Sequence, residues 1–138
     1  MKKILILLFI SFNFLLADIY EDWTIQDLGS MVVLVKYSTD KLGMFTLGLS
    51  SMGNNIQIVN SKITSNKETL IKIDYSDDYV VYNVNEYTAN SSIIIMGDIA
   101  SFLIDKLYNA KKVSIYSDKR LVCEYELKNL TDLLNSYI

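Results

Sequence analysis

The stretch Met31-Val-Val-Leu-Val-Lys-Tyr37, followed by Ser38-Thr-Asp-Lys-Leu-Gly43 and then Met44-Phe-Thr-Leu-Gly-Leu49, decides the fold class of this chain. Its first part is a β-branched run of strand length, and its last part is a second run with strand composition. The polar segment between them has a Gly near its end, which is typical of a turn between paired strands. The stretch therefore predicts a β-hairpin.

Similar short apolar runs, separated by polar turns, continue on both sides of this hairpin. The sequence Ser76-Asp-Asp78 is one such turn, because short polar side chains bond their own backbone there. Even spacing of this kind predicts an antiparallel β-sandwich or a curled meander. The further predicted strands are residues 22–26, 56–59, 69–74, 79–84, 93–96, 113–116 and 121–127, of which the last two form a second hairpin.

Two late segments change to a helical period. In residues 98–110 the apolar side chains recur at helical spacing, and Asp98 is placed to cap the start of that helix. Residues 129–138 repeat the pattern at the end of the chain. The predicted fold is therefore mainly β with two helices (α+β), with one helix before the last hairpin and one C-terminal helix. The predicted buried stripes are Ile99, Phe102, Leu103, Leu107 and Ala110 in the first helix, and Leu130, Leu133, Leu134, Tyr137 and Ile138 in the second.

The first 17 residues have the composition of a cleaved export signal. Lys2 and Lys3 precede an apolar stretch over residues 4–17, and Ala17 precedes a polar sequence. A membrane anchor is the alternative, but the stretch is shorter than the roughly 17–25 residues of a spanning helix. We therefore predict a signal peptide at residues 1–17, a single β-rich domain at residues 18–138, and a periplasmic or secreted protein with no stable membrane span after cleavage.

The residue inventory excludes several classes of chemistry. The chain of 138 residues has one Cys and no His, so it has neither an intrachain disulfide nor an imidazole general base or metal ligand. Without Lys2 and Lys3 it keeps 11 basic residues against 16 acidic ones, a net charge of −5. Such a chain lacks the clustered Lys and Arg that nucleic acid requires. We expect no cofactor, no metal and no nucleic-acid partner.

Two local patterns favour catalysis only weakly. The sequence Ser38-Thr-Asp-Lys41 matches the S-x-x-K string of penicillin-recognising enzymes, but it falls in the predicted hairpin turn and the companion elements are missing. Cys123 alternates with Leu121 and Tyr125 along a predicted strand, which favours a buried side chain over a reactive thiol.

The most informative feature of the composition is its high number of Tyr residues, 10, beside one Trp. Tyr75, Tyr79, Tyr82 and Tyr87 crowd the central strands. Ordinary β structure explains this, because Tyr suits strands. The functional interpretation is an interaction face, because Tyr anchors interfaces at a low entropy cost.

The order of segments along the chain resembles a known family. After the export signal come an early Trp-Thr-Ile segment, a strand-rich stretch, Asp98-Ile-Ala-Ser-Phe-Leu-Ile-Asp-Lys-Leu107, Ala110-Lys-Lys-Val-Ser-Ile115, a Cys-Glu-Tyr-Glu-Leu127 strand and a terminal helix. This order resembles the invasion-associated locus B family of small periplasmic β-sandwich proteins, although this chain lacks the Cys pair usual there. The resemblance implies a non-enzymatic envelope protein and assigns no catalytic residue.

These observations favour a non-enzymatic, exported binding or accessory protein of the bacterial envelope. It would present a sheet face or a loop end to an envelope or secreted protein, or to a glycan, and its oligomeric state stays open. An inhibitor or immunity protein against a toxin or a lysozyme-like enzyme is the alternative, since small size, acidity and export fit it. A small carboxylate-based hydrolase is the second alternative.

Overall fold

The chain folds into eleven described strands and two α-helices. A computed structural model describes residues 18–20, 23–38 and 40–138, and the predicted signal peptide therefore lies outside the described residues. The strands are β1 (Asp18–Tyr20), β2 (Trp23–Asp27), β3 (Val32–Tyr37), β4 (Gly43–Leu49), β5 (Asn55–Asn60), β6 (Thr69–Asp74), β7 (Tyr79–Asn83), β8 (Thr88–Ala89), β9 (Ser92–Met96), β10 (Lys112–Ser117) and β11 (Arg120–Glu126). The helices are α1 (Asp98–Lys106) and α2 (Leu130–Tyr137), and a 3-10 helix spans Asn85–Tyr87.

The strands form two antiparallel sheets. The first has seven strands in the order β1-β2-β3-β4-β5-β9-β8, and the second has four in the order β11-β10-β6-β7. Residues that face inward from both sheets belong to one buried cluster. The predicted class, mainly β with two helices in a sandwich-like arrangement, is confirmed.

The core lies between the sheets because apolar residues alternate along the strands. In the first sheet, Ile25, Leu34, Leu47 and Ile56 are paired in register across four neighbouring strands, and all are buried. In β6, the pattern alternates between buried and half-buried residues. Burying each large aliphatic side chain contributes about 1.5–3 kcal/mol relative to exposure. The period-2 pattern thus fixes which face of each strand points inward.

Of the two predicted arrangements, a sandwich or a curled meander, the strand pairing fits the sandwich, because strands that are consecutive in the sequence do not pair throughout. The chain leaves the first sheet after β5, forms β6 and β7, and returns with β9, which pairs with β5. β6 pairs with β10, and the paired residues lie between 38 positions (Asp74 and Lys112) and 48 positions (Thr69 and Ser117) apart in the sequence. Periodicity along one strand says which face is buried, but it does not specify a partner that is distant in the sequence. The short strands β1 and β8 were not predicted.

Helix α1 is shorter than predicted, and its buried face is rotated. Its N-cap residue is Gly97, with φ of 72°, so Asp98 is the first helical residue and not the cap. Its buried residues are Ala100, Leu103 and Ile104, whereas Ile99 and Phe102, predicted to be core, are each 46% exposed. Leu107 and Ala110 are buried as predicted, but they lie after the end of the helix.

Helix α2 matches its prediction in three of five apolar positions. Leu130, Leu133 and Leu134 are buried in the common core. Tyr137 and Ile138 are exposed, so the prediction that they complete the buried stripe was wrong. Tyr137 is the last residue of the helix and Ile138 follows it, so both lie at the free end of the helix. Over the residues that the structure describes, no helix has the length and hydrophobicity needed to cross a membrane.

Candidate interaction surface

An aromatic contact joins strand β7 to helix α1. The rings of Tyr82 and Phe102 meet edge to face, with centroids 5.7 Å apart and an interplanar angle of 84°. Tyr82 is half-buried at the margin of the core, and Phe102 is exposed on the outside of α1. Such edge-to-face pairs contribute about 0.5–1.5 kcal/mol beyond the area that they bury. The contact holds an exposed aromatic ring beside the edge of the four-stranded sheet.

Tyr75 attaches the turn after β6 to the end of the same helix. Its hydroxyl donates a hydrogen bond to the backbone carbonyl of Lys106, in the last turn of α1. Burial raises the pKa of Tyr75, so the phenol stays protonated and continues to donate. The ammonium of Lys106 lies 5.3 Å from the centroid of the Phe102 ring. Tyr75 therefore serves to position α1 against β7.

Tyr79 lies on the opposite side of β7. Its side chain is 60% exposed, and the ammonium of Lys72 lies 4.5 Å from its ring centroid. Lys72 also forms an ion pair with Asp74, at an N to O distance of 3.5 Å. Val81 shares this outer side of the strand and is exposed as well. The ring of Tyr79 is thus held by a cation on one face and open to solvent.

Tyr87 has a different environment. It lies in the 3-10 helix Asn85–Tyr87 and packs, half-buried, against the core. The four Tyr residues predicted as an interaction face therefore do not share one face. Tyr75 and Tyr82 meet α1, and Tyr79 points to the other side of β7. We define the β7–α1 surface as having two sides: Tyr75, Tyr82 and Phe102 lie where β7 meets α1, and Tyr79 and Val81 lie on the outer side of the same edge strand.

Sequence reasoning missed the contribution of helix α1 to this surface. Ile99 and Phe102 were assigned to a buried stripe, because their spacing matches a helical period. The signal that could have separated them is the competing stripe of Ala100, Leu103, Ile104 and Leu107, which has the same period. One helix of nine residues buries only one of two such faces, so the second is left exposed, and Phe102 from it contacts Tyr82 of β7.

Acidic side chains lie at both ends of β7. Asp77 and Asp78 are exposed in the turn that precedes the strand, and Glu86 is exposed in the 3-10 helix that follows it. β7 itself, with the sequence Tyr-Val-Val-Tyr-Asn, has no charged residue. The strand β7 is therefore uncharged along its length and has acidic side chains at both ends, while the ammonium groups of Lys72 and Lys106 lie against the rings of Tyr79 and Phe102.

The two catalytic candidates from the sequence, the Ser38-Thr-Asp-Lys41 string and Cys123, both lie in structural positions. The Ser38 hydroxyl donates to the carboxylate of Asp40, at 2.6 Å, and accepts from the Gly43 N–H, at 2.9 Å, so it belongs to the turn of the β3–β4 hairpin. Cys123 is buried, and burial raises the pKa of its thiol. Within residues 18–20, 23–38 and 40–138, no three acidic or Cys side chains are grouped closely enough to hold a metal ion.

Comparison of the chain with protein-family models, with curated proteins and with solved structures finds no match. The function of the chain is therefore inferred from the geometry of the β7–α1 surface and from which residue types the sequence contains.

Proposed function

We propose that this chain is a non-enzymatic, exported binding or accessory protein, which acts in the periplasm or outside the cell by binding an envelope or secreted protein. The observation that carries this proposal is the exposure of Phe102 on α1, in contact with Tyr82 of β7, together with the exposure of Tyr79 on the other side of the same edge strand. Aromatic side chains are enriched in the centres of protein interfaces and provide much of their binding energy.

The rigidity of the surface supports the proposal. Phe102 is held by the ring of Tyr82, and the end of α1 is fixed by the hydroxyl of Tyr75. Side chains that are ordered before binding lose less conformational entropy when the partner docks. The absence of His from the sequence argues against acid–base catalysis by imidazole, and it leaves binding as the simpler function.

Affinity capture from the native envelope tests the proposal. The tagged protein is compared with the double variant Tyr79→Ala and Phe102→Ala, and with the control Leu121→Ala on the opposite edge of the same sheet. Leu121 is 48% exposed, close to the 46% of Phe102, so the control also removes an exposed apolar side chain. We expect the double variant to lose partner capture by 10-fold or more, and the control to retain it. Equal capture by all three proteins would contradict the proposal.

Export has a separate test. If residues 1–17 form a cleaved signal peptide, N-terminal sequencing of the protein from its own cell will begin near Asp18. A chain that keeps Met1 inside the cell would contradict export without bearing on the interaction surface. The resemblance to the invasion-associated locus B family implies the same class of protein, and it stays a prediction.

The acidic ends of β7 favour one narrower candidate, an inhibitor of a basic enzyme of the lysozyme type. Asp77, Asp78 and Glu86 would attract a basic partner and accelerate its association. Protection of cells from wall lysis, lost on replacing these three residues by their amides, would support this candidate. Undiminished lysis in the presence of the protein would exclude it.

A further inference from the structure

Strand β7 is an edge strand with unpaired backbone groups. Among the strands that the structure describes, its only neighbour in the sheet is β6. Just after β7, the Val84 N–H donates a hydrogen bond to the Thr69 carbonyl. Just before β7, the Asp78 carbonyl accepts one from the Tyr75 N–H. The backbone groups of Val84 and Asp78 therefore point toward β6. Because hydrogen-bonding direction alternates along an antiparallel strand, the N–H and C=O groups between them point alternately inward and outward. The groups that point away from the sheet are those of Tyr79, Val81 and Asn83.

The two edges of this sheet differ in how they resist further pairing. β11, the opposite edge, contains the charged residues Arg120, Glu124 and Glu126. Its register with β10 also shifts between Ile115 and Tyr116, so that it holds an extra residue. Charges and bulges of this kind are common protection against unwanted strand addition. β7 has no charge, no Gly and no Pro, and it pairs with β6 in unbroken register over five residues.

The side chains next to this edge determine what fits it. On one side an added strand would lie beside Tyr82 and the exposed ring of Phe102, and on the other beside Tyr79 and Val81. β-branched or aromatic side chains at alternate positions would contact both sides, since successive residues of a strand point to opposite faces. The acidic residues at the two ends of β7 complement basic residues at the ends of the added strand.

The same charges argue against a second copy of this chain as the occupant. If the β7 strands of two copies paired antiparallel about a two-fold axis at Val81, Tyr79 of one copy would lie opposite Asn83 of the other. It would also bring Glu86 of each copy toward Asp77 of its neighbour. Two such like-charge encounters would weaken self-pairing. A heterologous strand with basic ends meets no such repulsion.

We infer that β7 binds an extended segment of another protein by strand addition, and that this segment has β-branched or aromatic residues at alternate positions and Lys or Arg at its ends. Backbone hydrogen bonds to Tyr79, Val81 and Asn83 supply the pairing, and the aromatic rings on both sides select the side chains. The inference rests on the proposed binding function, for which it specifies the recognition mode.

Two synthetic nonapeptides test the inference on the purified protein. The probe is Lys-Thr-Val-Thr-Val-Thr-Val-Thr-Lys, and its control has Glu at both ends. We expect the Lys-ended peptide to bind and to slow hydrogen exchange at the amides of Tyr79, Val81 and Asn83 by 10-fold or more. The Glu-ended peptide should bind at least 10-fold more weakly. If the Lys-ended peptide does not bind, or binds without protecting those amides, the inference is wrong. Concentration-dependent protection of the same amides without peptide would identify a second copy as the occupant instead.

Two substitutions at one position separate backbone pairing from side-chain contact. Val81→Pro removes the outward N–H without removing a hydrogen bond to β6, and Pro is tolerated at such edge positions. Val81→Thr keeps the N–H and a β-branched side chain. We expect Val81→Pro to abolish peptide binding and Val81→Thr to retain it, with the amides of Val80 and Tyr82 protected in both variants. Equal binding by the two variants would overturn the inference. If the Pro variant fails to fold, N-methylation of the peptide amides that face β7 removes the same backbone bonds from the peptide side, and unchanged binding of the methylated peptide would overturn the inference equally.

Failure of this inference and failure of the proposed function give different results. A native partner that is captured through Tyr79 and Phe102, but leaves the outward amides of β7 unprotected, would refute strand addition and leave the binding function standing. Loss of any dependence of native capture on Tyr79 and Phe102 would refute the function itself.

Discussion

The indole N–H of Trp23 donates a hydrogen bond to the backbone carbonyl of Lys128, across a distance of 3.0 Å. The two residues are 105 positions apart, so the bond ties the start of the described domain to the segment before its last helix. Trp23 is fully buried, and its ring meets Phe45 edge to face, with centroids 6.4 Å apart. The bond therefore closes one end of the core with a side chain that also packs inside it.

Replacing Trp23 by Phe should destabilise the fold. The variant loses the hydrogen bond to Lys128, leaves that carbonyl without its partner and opens a cavity, together worth about 2–4 kcal/mol. Urea unfolding followed by far-UV circular dichroism measures this loss. The control Tyr137→Phe changes an exposed ring and should stay within about 0.5 kcal/mol of the wild type. Equal unfolding midpoints for Trp23→Phe and the wild type would contradict the structural role of the bond.

Much of the fold is encoded locally, and that part was predictable. The hairpin from Val32 to Leu49, the strand Thr69–Asp74 and the two late helices follow from apolar periodicity and polar turns. The pairing of β5 with β9 and of β6 with β10 was not predictable, because it depends on which strands, distant in the sequence, become hydrogen-bonded neighbours within each sheet.

The candidate site was predictable only in part. The Tyr residues of the β7 region signalled an unusual surface, since aromatic side chains are conspicuous in a sequence. The exposure of Phe102 was hidden, because α1 has two apolar stripes and only packing against the sheets decides which is buried. The unpaired edge of β7 depends on sheet order, which has no local signature in the sequence.

Gly43 should not tolerate a side chain. A Cβ at this position would lie 2.9 Å from the Val59 carbonyl oxygen, the Asn60 amide nitrogen and the Tyr125 hydroxyl. The Val59 oxygen is backbone of a paired strand and cannot move away cheaply. We expect Gly43→Ala to cost about 1–3 kcal/mol, measured by chemical unfolding. A variant as stable as the wild type would show that the strands separate more easily than this packing implies.

Tyr125 provides the matched test of the same contact. In the described part of the chain its buried hydroxyl has no nitrogen or oxygen partner and faces only the thiol of Cys123, and burial raises its pKa. Tyr125→Phe removes a buried hydroxyl whose one neighbouring polar group is a weakly bonding thiol, so its stability should equal or exceed that of the wild type. Combined with Gly43→Ala, it should recover part of the stability that the Ala substitution costs. Strict additivity of the two changes would mean that the hydroxyl does not limit the space at Gly43.

Cys123 should be chemically inert in the folded protein. It is buried and burial raises the pKa of its thiol, so little thiolate is present near neutral pH. We expect a thiol-reactive dye to label it only as fast as the protein unfolds. The double variant Cys123→Ala and Leu121→Cys places a thiol at an exposed position of the same strand and should react at once. Rapid labelling of Cys123 in the native protein would contradict its position in the core.

The turn between β3 and β4 should make stability depend on acidic pH. The hydroxyl of Ser38 and the N–H of Leu42 both donate to the carboxylate of Asp40, and these bonds lower its pKa. A carboxylate whose pKa is lower in the folded state stabilises the fold above its unfolded-state pKa, and this contribution is lost as pH falls through the folded-state pKa. Ser38→Ala should therefore raise the pKa of Asp40, measured by NMR titration. It should also destabilise the protein more at neutral pH than near pH 2, where the carboxylate is protonated in both proteins.

Asp40→Asn should remove this pH-dependent part while keeping an acceptor oxygen in the turn. If Ser38→Ala costs the same stability at both pH values, the Ser38–Asp40 bond does not set the pKa of this carboxyl.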